Sequence, residues 1–267
     1  MILASDSIPH LFLVLATFCA YVIASTKIEL LGVQIVKASV WLAWVLHTTL
    51  LYLTLLGPSP HFGFAPAISV TIWIVIAVNA IEIKIYPTLP TRQPLAAFGA
   101  IAVLIASLFP GRLVHPSASP LLALHLSLGI ASYGLFGAAI LHGWVLNRTE
   151  ERIRKGSDIE MGMPLLTLER LTFRFVGIGF VLLSATLLAG FVFGKEIYGS
   201  STPLHWSHKT IFSVLAWLTF ASLLTGRSRL GWRGRKSIRI LYIGSGMLVL
   251  AYIGSRFVLE VLLSRTL

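Results

Sequence analysis

Imidazoles are the groups in this chain best able to do chemistry. His205 and His208 stand three apart in the string HWSH, with Trp206 beside them, inside the polar stretch KEIYGSSTPLHWSHK that separates two long apolar runs. His125 falls in the second turn of an apolar run that opens with Ser119 and Pro120, a serine at the N-cap and a proline at the first helical position. His47 lies near the middle of another apolar run, WLAWVLHTTLLYL, while His10, His61 and His115 lie near run ends and His142 near the far end of the run that carries His125. Imidazole suits haem iron, which takes two axial ligands, and equally suits zinc or copper. The pair in HWSH is only half of a compact zinc site, and there is no CxxCH for covalent haem attachment. The connecting segments hold few acids and no nucleophile–base pattern, which argues against ordinary hydrolysis.

The elements that position these histidines are dictated by composition. Of the residues, 56% are apolar and 12% charged, which excludes an ordinary soluble domain. Eight apolar runs, about 8–25, 38–57, 66–85, 92–110, 120–146, 171–194, 209–226 and 238–262, approach or exceed the roughly 20 residues that cross a bilayer core of about 30 Å. In lipid the backbone must satisfy its own hydrogen bonds, so the runs are read as helices, without the alternation of a transmembrane barrel. The expected fold is all-α: one polytopic membrane bundle over 1–267 with about eight transmembrane helices. Within it, Trp41 and Trp44 are expected at the headgroups, Glu82, Lys84 and Tyr86 at the inner interface, and His142 at the inner end, among headgroups. A stripe of Gly129, Ser132, Phe136 and Gly143 shares one face of the fifth run and admits a neighbouring helix or a flat ring. Tyr252, Arg256 and Glu260, four apart, stack on one face of the last run. Cys19 reads as a small buried hydrophobe, and the N-terminus, with Asp6 and no basic start, as retained rather than cleaved.

The formal net charge of +11 is distributed as a membrane signal, not a nucleic-acid one. Lys and Arg gather in alternate connections: Lys27 and Lys37, Lys84 and Arg92, the segment 147–170, and the segment 227–239. The others hold only Arg112, Lys195 and Lys209. By the positive-inside rule both termini and the segments near 58–65, 111–119 and 195–208 lie outside the cytoplasm, and the basic connections face solvent and anionic lipid. His10, His61, His115, His125, His205 and His208 then share the outer side. Aromatic and small residues around such a cluster favour a large flat ring.

The strings HLSLGIASYGLFGAAILHG, PLLTLERLTFRFVGIGF, HKTIFSVLAWLTF and GWRGRKSIRILYIGSGMLVLAYIGSR resemble the membrane core of the cytochrome c assembly family, the CcsA/CcmC group of haem-handling proteins, and most of all its YpjD/HemX-like branch. The resemblance covers about 120–262; the helices of 8–110 resemble the family more loosely, through a histidine in the second helix, here His47. It implies a multi-pass protein of the bacterial inner membrane that holds haem at its outer face for cytochrome maturation or a related haem process. It also implies, as partners, lipid and possible further assembly proteins, with apocytochrome c among them. His125, with Ser132 and Tyr133, matches the family's histidine at the start of a helix reading H…SY. The family's tryptophan-rich loop ending WDPKE corresponds to Trp206, Ser207, His208, Lys209 and Thr210, so only the tryptophan and the lysine persist. A family histidine near the inner end of the following helix is replaced around Thr225 and Gly226, and an outer one near Leu263. The resemblance therefore implies haem iron held by His125 with His208 or His205 opposite, with Trp206, Tyr133 and His47 as further contacts and Arg256 either meeting a propionate or fastening helices. It points to a haem-binding assembly factor rather than a complete haem-to-cytochrome synthetase. Two other readings remain: a non-catalytic scaffold in an assembly complex, and a small-molecule transporter, for which the midplane offers Asn79, His47 and little else.

Overall fold

The computed structural model describes residues 8–26, 28–85, 92–113, 120–155, 165–194 and 208–254. Among the described residues each of the eight apolar runs contains a helix: α1 (Ile8–Ser25), α2 (Val33–Leu56), α3 (Phe64–Ile85), α4 (Arg92–Leu108), α5 (Pro120–Arg154), α6 (Leu165–Val192), α7 (His208–Leu230) and α8 (Gly234–Val249), the last continued by a π-helical turn, Leu250–Gly254. One further turn, Ile28–Leu31, precedes α2. Among the described residues six helices, α1, α2, α3, α5, α6 and α7, are long and apolar enough to cross a membrane, and α4 is a shorter apolar helix. The protein is an all-α polytopic membrane protein, because only a helix closes every backbone hydrogen bond within its own segment.

The helices fall into two compact units, Met1–Pro116 and Ser117–Leu267. The boundary lies between the fourth and fifth apolar runs, where the family resemblance passes from loose to close. In the first unit α1 packs against α2 and α4, and α3 against α4 and α2. The connections 57–63 and 109–113 meet as a two-residue antiparallel bridge, His61 opposite Leu113 and Phe62 opposite Arg112. The bridge was not legible in turn-rich sequence. It depends on Gly111 at φ 86, where a Cβ would come within 2.6 Å of the Phe62 backbone. Trp41 is exposed as expected of an anchor. Trp44 instead stacks on Trp73 at 5.1 Å, and Trp73 Nε1 donates to Thr48 Oγ1 at 2.9 Å. Glu82 is buried within the bundle, and Cys19 is exposed rather than buried. In a helix whose outward face meets lipid, a small thiol fits either side.

In the second unit α5 packs along α6, α7 pairs with α8, α8 returns to α5, and α6 touches α7. The core is built from Phe136, Val176, Phe220, Leu223, Leu241 and Leu248, with the rings of Phe136 and Phe220 stacked at 4.0 Å. The small-residue stripe of α5 admits helices. Phe136 lies on Gly179 and Gly129 faces Thr186, both on α6, while Gly143 faces Ile238 and Tyr242 of α8. His142 is not among headgroups. It is 0% exposed and stacks on Phe175 at 5.3 Å.

The basic connections are more ordered than their composition suggests. α5 runs on to Arg154, eight residues beyond its apolar run, and its charged end meets Arg235, 3.4 Å from Glu151 and 3.9 Å from Glu150. Leu165–Leu171 forms the first turns of α6 with Leu168 and Glu169 buried. Glu169 is paired with Arg227 at 2.5 Å, and that guanidinium lies 3.8 Å from the centre of the Phe173 ring. Gly231 at φ 65 ends α7, and the Trp232 ring covers Gly226 so closely that a Cβ there would sit 2.3 Å from it. Arg227→Met alone leaves the Glu169 carboxylate buried without its cation and costs about 3 kcal/mol; pairing it with Glu169→Leu restores most of that. Thermal unfolding of the two variants in detergent measures the difference.

Candidate functional site

The second unit places His125 in the second turn of α5, 8% exposed, with its ring against α6. A Cβ on Gly190 would meet His125 Cε1 at 3.2 Å and Nδ1 at 3.7 Å, so the imidazole occupies the space that glycine leaves open. The backbone of Thr186 is its hydrogen-bonding neighbour, and Lys209, in the first turn of α7, is the cation acting on it. Lys209 Nζ lies 5.2 Å above the Tyr252 ring of the π-helical turn. Four segments therefore converge at this end of the unit: the start of α5, the end of α6, the start of α7, and the π turn after α8. π turns of this kind recur where a helix has been remodelled for a function.

Two neighbours on α5 hold this arrangement. Ser132 Oγ donates to the Gly179 carbonyl at 3.3 Å, and Tyr133 Oη donates to the Leu248 carbonyl at 2.6 Å, just before the π turn begins. Trp217 Nε1 adds a bond to Ser184 Oγ at 2.8 Å between α7 and α6. His208 is the first residue of α7 and is exposed. Trp206, His205 and Arg256 lie outside the described residues, as do His115 and Glu260.

The first unit holds a different constellation. His47 is 0% exposed and uses both ring nitrogens, Nδ1 at 3.0 Å from Tyr21 Oη and Nε2 at 2.8 Å from Ser69 Oγ. The Tyr21 ring meets it edge-on at 5.6 Å and is itself pressed on Gly99 of α4. His61 Nδ1 is 2.7 Å from the Ser59 carbonyl, a contact that requires the proton on Nδ1. Tyr21 and Ser69 carried no signal in the sequence. They stand 26 and 22 residues from His47 on other helices, and a lone serine or tyrosine in an apolar run is unremarkable until the helices are paired.

Chemically, the His125 end offers a buried imidazole and, at the start of α7, a lysine over the Tyr252 ring. Those are groups that fit a haem: a nitrogen ligand for the iron and a positive partner for a carboxylate. Among the described residues no group of three or more His, Cys, Asp or Glu side chains could hold a metal ion by itself. Removing the Tyr133 hydroxyl as Tyr133→Phe breaks the bond that ties α5 to the residue before the π turn. It is expected to lower stability by about 1 kcal/mol, read as an earlier thermal transition in detergent.

Comparison with known proteins agrees with this architecture. The sequence model of the family described as "Cytochrome C assembly protein" matches residues 10–263. The "Inner membrane protein YpjD" of Escherichia coli K12 is 30% identical over 169 residues, 62% of this chain and 63% of that protein. The "Cytochrome c biogenesis protein CcsA" of Synechococcus elongatus is 31% identical over 123 residues, 46% of this chain and 34% of that protein. The chain thus spans less than two thirds of the length of the curated relatives it matches. No solved structure matches it.

Proposed function

Since the chain belongs to the cytochrome c assembly protein family, we propose that it is an inner-membrane haem-binding protein that works in cytochrome c biogenesis and holds haem at the end of the second unit where α5 begins. The observation that carries this reading is the seat of His125: a buried imidazole set into the gap left by Gly190, with Lys209 in the first turn of α7 as the candidate cation. His125 supplies one axial nitrogen to the iron, and the lysine meets a propionate. His208, at the first position of α7, or His205 before it, supplies the second. From the sequence, Trp206 and Tyr133 are further contacts for the ring, and Arg256 is either a helix fastener or a second propionate partner. His47 enters this reading only in exchange for its bonds to Tyr21 and Ser69, so His125 is the residue on which it rests. When bound, the porphyrin supplies four iron ligands of its own, which is why a site with one or two imidazoles suffices. The charge pattern supports placing this end outside the cytoplasm. An apocytochrome c and other assembly proteins of the membrane are the expected partners, with anionic lipid around the basic connections.

The visible spectrum of the full-length protein, purified in detergent and titrated with haem, tests this. A Soret band with the signature of two nitrogen ligands is expected, lost in His125→Ala and weakened in His208→Ala. Gly190→Val, which fills the space the imidazole occupies, is expected to shift or abolish the band in a protein that remains helical and monodisperse. Saturating haem without any such band would leave the scaffold reading in its place.

A further inference from the structure

The first unit contains a cleft of about 470 Å³ at the end where α1 and α3 begin and α2 and α4 finish. All four helices line it. His47 and Ser69 lie in its wall, 0% and 2% exposed, and His10, Thr54, His61 and Ser107 supply further polar atoms around it. Among the described residues no Asp, Glu, Lys or Arg lines it. Pro9 and Leu53 both line the cleft and are exposed, so it also borders the surface between α1 and α2 that faces lipid.

From this we infer that the cleft is a binding site for a neutral, lipid-soluble ring with oxygen at its edge, of the quinone and quinol type. Three observations select that class. With no charged residue among the described lining, the site is a poor host for carboxylates or phosphates, whose desolvation these residues would not compensate. The same absence disfavours a tetrapyrrole with propionates, and both nitrogens of His47 are already hydrogen-bonded. The volume is that of a small-molecule pocket, apolar in its walls with a few convergent polar groups, a common location being between the helices of a bundle.

The third observation is the chain Ser69–His47–Tyr21, which has two neutral proton arrangements. In one, Tyr21 donates to Nδ1 and Nε2–H donates to Ser69 Oγ, leaving the serine hydroxyl proton to donate to a carbonyl in the cleft. In the other, Ser69 donates to Nε2 and Nδ1–H donates to Tyr21 Oη, leaving a serine lone pair to accept from a hydroxyl. Both use the same heavy-atom positions. A ligand whose edge is a carbonyl in one form and a hydroxyl in the other is met in both forms without burying a charge. That property matches the quinone–quinol pair and is wasted on a molecule with one fixed group.

The test uses the full-length protein in phosphatidylcholine nanodiscs and a short-chain quinone carrying a photoreactive azide, with cross-links mapped by peptide mass spectrometry. Labelling is expected within 9–14, 47–54, 58–69 and 103–110. It should be competed by the unlabelled quinone and by its quinol, and not by an alkylbenzene of the same size. Ala106→Phe, which fills the cleft without touching the bonds of His47, is expected to abolish labelling. Ser69→Ala is expected to weaken the apparent affinity about tenfold through the loss of one hydrogen bond, and it decides the matter should the phenylalanine variant not fold. Absent labelling, labelling unchanged in both variants, or displacement by the alkylbenzene as readily as by the quinone would overturn the inference. Displacement by haemin at equimolar concentration would overturn it too, by assigning the cleft to a charged tetrapyrrole. The haem titration of His125→Ala reads a different unit, so either proposal can fail alone.

Discussion

The close approach of α5 to α6 is the constraint on which the second unit depends. Lipid offers helices no hydrophobic drive toward one another, so helices in it associate where small residues let backbones come near enough for dispersion and hydrogen bonds. Here Gly179 takes the Phe136 ring and the Ser132 hydroxyl, Gly129 meets Thr186, and Gly190 takes His125. The contacts form one seam, and the imidazole is its outermost member. Packing and candidate chemistry are therefore not separable along α5. The geometry that holds the helices together also sets where the ring of His125 sits.

The opposite end of that unit is organised by charge. Glu169 and Arg227 are paired inside the helix contact, with Phe173 beneath the guanidinium, while Arg235 reaches the acidic end of α5. Lys236 Nζ lies 3.9 Å from the Trp232 ring that covers Gly226. The space over Gly226 is taken by the Trp232 indole, so this end of α7 is a packed joint.

The first unit solves a different problem with the same means. A polar side chain deep in an apolar bundle must find partners, and His47 finds one on α1 and one on α3. Its two hydrogen bonds fix three helices to each other, and the described residues lining the cleft beside them are apolar or neutral polar. A buried imidazole with both nitrogens hydrogen-bonded to other helices and one seated against a glycine are different chemical objects, although the sequence writes both as a histidine within an apolar run.

Most of the fold was legible in the sequence. Run length and the backbone's need to bond within itself dictated helices at all eight apolar runs. The motif around His125, Ser132 and Tyr133 carried the family, and the glycine spacing on α5 announced a close-packed face. What only the tertiary structure decided was which face met what. Periodicity cannot tell a lipid-facing thiol from a buried one, so Cys19 was misplaced, and it cannot tell a headgroup histidine from a core one, so His142 was too. The charged connection after the fifth run read as solvated, and residues 151–155 are exposed; Glu169 beyond it is buried against Arg227, a pairing between distant helices that composition does not show. Ser69 and Tyr21 became significant only when the bundle brought them to His47. Helix formation is local and is written in each segment; partnership between side chains is not, because it depends on which helices meet and at what rotation.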